Sequence, residues 1–129
     1  MNSITITCPL SLEIRGKKYY LNLNNYRNWY YQTSNNLKKK FSDVLRPQLE
    51  GLSPIPGKYS ITYKLYAPNN IRRDLRGVTT IIGKFLEDAL QEYKITVDDD
   101  VHHYPEAHDY YMGIDKENPR VEVVIKWDM

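Results

Sequence analysis

The sequence contains a single cysteine, Cys8, in 129 residues. One thiol excludes an internal disulfide framework and any all-cysteine metal site. No apolar run approaches the roughly 18 residues that a membrane-crossing helix requires, and no secretory leader pattern opens the chain. The expectation is therefore a cytoplasmic protein with no membrane partner. Charge of one sign is also lacking. Eighteen Lys and Arg stand against sixteen Asp and Glu, a formal net charge of +2, so bulk charge does not announce a nucleic-acid binder. Phenylalanine is scarce, with two residues against twelve tyrosines. A tyrosine ring is apolar with a polar tip, which suits wet interfaces and stacking on bases. Neither an internal repeat nor a low-complexity segment interrupts the chain. With 41% hydrophobic and 26% charged residues, the composition predicts one globular domain over residues 1–129 with a real core.

What the sequence does contain is local clustering. Lys38, Lys39 and Lys40 form one basic run, Arg72, Arg73 and Arg76 another, and Asp98, Asp99 and Asp100 an acidic one. The clearest helix lies between the last two. Val78, Ile81, Ile82, Phe85, Leu86, Ala89, Leu90 and Tyr93 recur at steps of three and four, while Thr79, Thr80, Lys84, Glu87, Asp88, Gln91 and Glu92 fill the rest of the circumference. Asp74 precedes this run, where an aspartate can cap orphan N–H groups and face the positive helix end.

Around that helix, residues 3–7 alternate as a strand that Pro9 ends or forces to an edge. Gly16-Lys17-Lys18 reads as an exposed loop. Asn22, Asn24, Asn25 and Asn28 are turn and cap signals. Asn35-Asn36 leads into a helix whose inward set is Leu37, Phe41, Val44, Leu45 and Leu49, kinked or ended by Pro47. Gly51 to Gly57 is a loop. Residues 58–67 alternate strictly and predict a half-buried strand. Residues 101–111 read as extended, 113–119 as a turn, and 121–125 as a last strand. The order strand, helix, strand, helix, strand, strand predicts an α+β fold, a mixed four-stranded sheet with two main helices packed on one face.

These residues resemble the RusA-type Holliday junction resolvases, common in phages and prophages. The resemblance rests on Arg-Arg-Asp-Leu after a strand, on Lys84-x-x-x-Asp88-Ala89-Leu90, and on the hydrophobic step into Asp98-Asp99. The Asn-rich stretch Leu23 to Tyr30 and the closing strand from Asn118 to Val123 extend it over nearly the whole chain. It implies a homodimer in a bacterial or phage-infected cell that binds four-way DNA junctions. It also implies cutting with Mg²⁺, which Mn²⁺ can replace, as part of DNA recombination and repair. Asp74 and Asp99 match the family aspartates, with Asp98 beside the second as a further metal ligand, and Lys84 matches the assisting lysine. The family's middle aspartate has no match. Its place holds Arg76 when counted from Asp74 and Thr80 when counted from the helix end, so Asp98, Asp100, Glu87 or Asp88 would have to substitute.

The chemistry makes such a set meaningful. Phosphodiester hydrolysis needs a hydroxide-like nucleophile and relief of charge on the leaving oxygen, and hard cations on carboxylates supply both. Lys84 would stabilise transition-state charge. Phosphate contacts would come from Lys38, Lys39, Lys40, Arg72, Arg73, Arg76 and Arg27, with Lys17 and Lys18 further out. Each residue also has a plainer role: Asp74 as a cap, Lys84 and Asp88 as an i,i+4 surface pair, the lysine run as a solvated face. Tyr26, Trp29, Tyr30 and Tyr31 suit base stacking or core packing. His102, His103 and His108 do not suit zinc, because adjacent strand histidines point to opposite faces. Besides the nuclease, two other readings fit: a RusA-fold dimer that binds branched DNA with little or no cutting, and a protein-binding module.

Overall fold

The computed structural model describes residues 2–71, 73–96 and 106–128. Arg72, Asp98, Asp99, Asp100, His102, His103 and Pro105 lie outside the described residues. The fold is α+β, as the alternation of strand and helix patterns predicts. Strands β1 (Asn2–Cys8), β4 (Tyr59–Ala67), β5 (Glu106–Ile114) and β6 (Arg120–Trp127) form a mixed four-stranded sheet in the order β1-β6-β4-β5. β6 pairs antiparallel with both β1 and β4, whereas β4 and β5 run parallel. A parallel pair needs a crossover, and helix α3 (Leu75–Glu92) supplies it.

Period 2 decides which face of the sheet is covered. In β4, Tyr59, Ile61, Tyr63, Leu65 and Ala67 are buried, while Ser60, Thr62, Lys64 and Tyr66 are half-buried on the other face. The covered face packs against α3 and helix α2 (Tyr31–Leu49). Phe41 of α2 meets Phe85 of α3 edge to face, with ring centres 5.7 Å apart. All seven apolar positions from Val78 to Leu90 in the predicted α3 stripe are buried, and Thr79 joins them at 3% exposure. Among the described residues no helix is long and apolar enough to cross a membrane.

Several local expectations are corrected. Gly16-Lys17-Lys18 is not a loop but part of a hairpin, β2 (Ser11–Ile14) and β3 (Lys17–Tyr20). Arg15 and Gly16 join its strands with φ of 52° and 80°, the doubly left-handed turn that matches strand twist. A short helix α1 (Leu23–Asn28) follows, capped as the asparagine density suggests: Asn22 Oδ1 accepts the Asn25 N–H at 2.8 Å.

α2 starts earlier than predicted, at Tyr31, and runs through Pro47, which sits in its last turn where few helical bonds remain to be broken. Val44 is 42% exposed. It lies about 100° around the helix from the centre of the buried set, which Ser42 borders on the opposite flank. Ser42 Oγ donates to Glu92 Oε2 of α3 at 2.8 Å. Gly113 and Ile114 belong to β5 and not to the turn.

Candidate functional site

Asp74 is positioned by the loop that leaves β4. Pro68 and the two asparagines after it reverse the chain, and Asn69 Oδ1 accepts the Ile71 N–H at 3.1 Å. Arg73 then fastens the loop. Its guanidinium donates to Asn69 O at 3.1 Å, Asn69 Oδ1 at 2.7 Å and Ile71 O at 2.8 Å. These bonds hold Asp74 at the entrance of α3, with its carbonyl accepting the Val78 N–H at 3.2 Å.

The side chain occupies the cap position without capping. It makes no hydrogen bond to the helix's first N–H groups and lies exposed, folded over Gly77. A carboxylate thus faces solvent beside the positive end of an 18-residue helix.

A cleft of about 650 Å³ opens at this point. Its far wall comes from the other end of the sequence: Lys18 and Tyr20 of β3, then Asn22 and Asn24. Asn22 uses its amide oxygen on the Asn25 N–H, so its NH₂ is the group it can offer a ligand. Among the described residues Asp74 is the one acid lining the cleft, beside the cations Arg73 and Lys18. The fold therefore joins the Asn-rich stretch to the Arg-Arg-Asp segment. Sequence reasoning names both but has no signal for their meeting, because the hairpin that brings exposed Lys18 to the cleft lacks the usual turn residues.

The other predicted site residues lie elsewhere. Lys84 is ten positions along α3 from Asp74, about 15 Å by helical rise. It lines a second recess of about 470 Å³ with Thr80, Glu87, Asp88 and, from β5, Asp109. Behind it Tyr63 Oη lies 3.3 Å from Glu87 Oε1. Burial, reinforced by the Glu87 carboxylate, pushes the Tyr63 hydroxyl far above its ordinary pKa, so it stays a neutral donor. Asp88 does not pair with Lys84 but with Lys38 of α2, Oδ2 to Nζ 3.0 Å.

Arg76 is 86% exposed, with its Nε 3.9 Å from Asp109 Oδ2. Thr96, the last described residue before the acidic run, stands beyond the exit of α3, whose 18 residues separate it from Asp74 by about 27 Å. Among the described residues no three His, Cys, Asp or Glu side chains cluster to hold a metal ion.

The remaining candidates divide by burial. Lys39 and Lys40 are exposed on α2, and Arg27 is exposed in the last turn of α1. Tyr26 and Trp29 pack edge to face with Phe85 and Tyr19 and serve the core. Tyr30 and Tyr31 stand 85% and 81% exposed. His108 pairs with Glu106 at 3.0 Å on the surface of β5. In comparisons with known proteins, the chain matches no family model and no curated protein sequence.

Proposed function

We propose that this chain is a RusA-like endodeoxyribonuclease that resolves four-way DNA junctions as a homodimer with Mg²⁺. The observation that carries the reading is the Asp74 cleft. A carboxylate that caps no N–H, carried on the Arg73-stapled loop, shares one opening with Lys18 and the Asn22 and Asn24 amides. Asp74 is the one carboxylate the described cleft offers, so a hard cation, which commonly keeps several waters and takes only one or two carboxylates beside a phosphate, would need a second acid from the 98–100 run.

Asp74 would hold Mg²⁺ together with Asp99 or Asp98. Bound there, the ion would supply an activated water and relief of charge on the leaving oxygen. The chain's own residues do the rest. Lys18 and the first turn of α3 attract the phosphate backbone, while the Asn22 and Asn24 amides offer N–H groups to phosphate or sugar. Arg73 holds the shape of the loop that carries Asp74. Exposed Lys39, Lys40, Arg27 and Arg76 extend the basic track, and Tyr30 and Tyr31 offer rings to unpaired bases at the junction centre.

The test is a labelled four-way junction incubated with and without Mg²⁺ or Mn²⁺. Asp74→Asn and Asp99→Asn should each abolish cleavage and leave junction binding intact. Full cleavage by both variants would overturn the assignment.

One observation favours a second reading, a dimer that binds branched DNA without cutting it. Two positions after Asp74 stands exposed Arg76 where the family pattern has an acid, and Lys84 lines a different recess. A cation there weakens Mg²⁺ binding by Coulomb repulsion. Tight, salt-sensitive junction binding with no cleavage under either metal would select this reading.

A further inference from the structure

The cleft beside Asp74 is larger and more apolar than work on a phosphate alone requires. At about 650 Å³ it falls within the roughly 300–1,000 Å³ of pockets that enclose a small organic ligand. Buried Leu21, Leu65 and Val78 form its floor, and Leu10, Pro68 and Pro119 continue the apolar lining. A phosphate and a hydrated cation gain nothing from such a floor, whereas a flat ring with apolar faces does.

Two side chains at the opening suit that ring. Tyr20 ends β3 and is 57% exposed. The Leu21 N–H donates to Leu10 O at 2.9 Å and closes the base of the hairpin, which sets Tyr20 at the mouth of the cleft. Lys18 Nζ leans over the tyrosine ring, 5.8 Å from its centre, so a stacking partner takes the other face.

Asn24 is the second. Its backbone oxygen accepts from Asn28 Nδ2 at 3.0 Å, but among the described residues its exposed side-chain amide has no partner. A primary amide presents a donor and an acceptor side by side. A phosphate uses only the donor, and a deoxyribose inside a strand has no hydroxyl to give the acceptor. The edge of a nucleobase answers both.

We propose that the cleft holds one unstacked nucleobase of the bound DNA, stacked on Tyr20 and hydrogen-bonded by Asn24, with that nucleotide's phosphate at Lys18 and Asp74. The inference rests on the DNA reading and adds to it a base contact beside the phosphate. Asn22, whose amide oxygen is committed to the Asn25 N–H, keeps its NH₂ for the phosphate. Base and phosphate belong to one nucleotide, which matches an opening that carries cations and amides above an apolar floor. A base leaves its stack at least cost where pairing is already interrupted, as it is at the centre of a branch.

The test uses the full chain without metal, so that binding is read apart from cutting. Four-way junctions carry 5-iodouracil at one nucleotide after another on either side of the branch, and each complex is irradiated. One position is expected to cross-link to Tyr20, identified by peptide mass spectrometry. Tyr20→Ala, with unchanged circular dichroism, should weaken junction binding about tenfold, within the range of one base stacked on a ring. Tyr20→Phe should bind as the wild type does. On a junction lacking the base at the cross-linked position, wild type and Tyr20→Ala should bind equally. Cross-links confined to Tyr30 or Tyr31 overturn the base site and leave the DNA reading standing. So does junction binding that Tyr20→Ala leaves unchanged, or a loss that persists on the junction lacking the base. A chain that binds no junction at low salt overturns both.

Discussion

The carboxylate of Asp74 lies over the α-carbon of Gly77: a β-carbon added there would stand 2.9 Å from Oδ2 and 3.2 Å from Cγ. The obstacle is the free end of an exposed side chain, which can swing away at little cost. Replacing glycine inside a helix with alanine gains about 1 kcal/mol of helix propensity. Gly77→Ala should therefore unfold at the same temperature or a few degrees higher, yet lose Mg²⁺-dependent junction cleavage because the carboxylate is displaced. Melting and cleavage measured on one preparation check this. Undiminished cleavage would show that the pose of Asp74 is immaterial.

Gly83→Ala should behave in the opposite way. A β-carbon at Gly83 would lie 2.7 Å from Tyr63 Oη and 3.0 Å from Cζ, and that ring is buried, with its hydroxyl engaged by Glu87. Overpacking costs about 1–3 kcal/mol. It outweighs the helix gain of about 1 kcal/mol. A lower urea midpoint with an unchanged slope is the expected outcome.

The lysine run should split in a salt titration. Lys39 and Lys40 are exposed, whereas Lys38 is held at 3.0 Å by Asp88. Each phosphate contact contributes about 0.9 to the slope of log affinity against log salt on duplex DNA. Replacing Lys39 and Lys40 with alanine should lower that slope by up to about 2. Lys38→Ala should leave the slope nearly unchanged and cost no more than about 1 kcal/mol in stability, as half-exposed pairs do.

Acid should loosen the turn between β5 and β6 before it touches the sheet. Arg120 holds the Asp115 carboxyl below the usual aspartate range by a 2.8 Å hydrogen bond, and the Asn118 N–H adds to the effect. A depressed folded value means that the contribution is complete above the unfolded pKa of about 4 and is lost as pH falls through the folded one. The Asn118 amide should stay protected from exchange down to about pH 4 and lose protection below it. Asp115→Asn should remove that dependence.

Much of the fold was legible because two segments follow their periods without exception. Tyr59 to Ala67 alternates from end to end, and the α3 stripe keeps steps of three and four from Val78 to Leu90. The β2–β3 hairpin was not legible, since its turn depends on Arg15 accepting a left-handed φ where Asn or Asp is the usual signal. The first turns of α2 are polar around exposed Tyr31, so no apolar period marks their start. At the site, Asp74 could be placed at a helix entrance from sequence. That its carboxylate stays off the helix, and that Asn22 and Asn24 face it, are tertiary facts without a local signature. Lys84 and Asp88 satisfy the spacing of a surface pair, yet the packing of α2 on α3 gives Asp88 to Lys38.

β6 follows every other described element in the chain but occupies an interior place in the sheet, between β1 and β4. β1 has no strand to join until β6, which begins at Arg120, emerges from the ribosome. The sheet therefore stays unfinished until β6 is synthesised, and β1 waits through every other described element before it can pair.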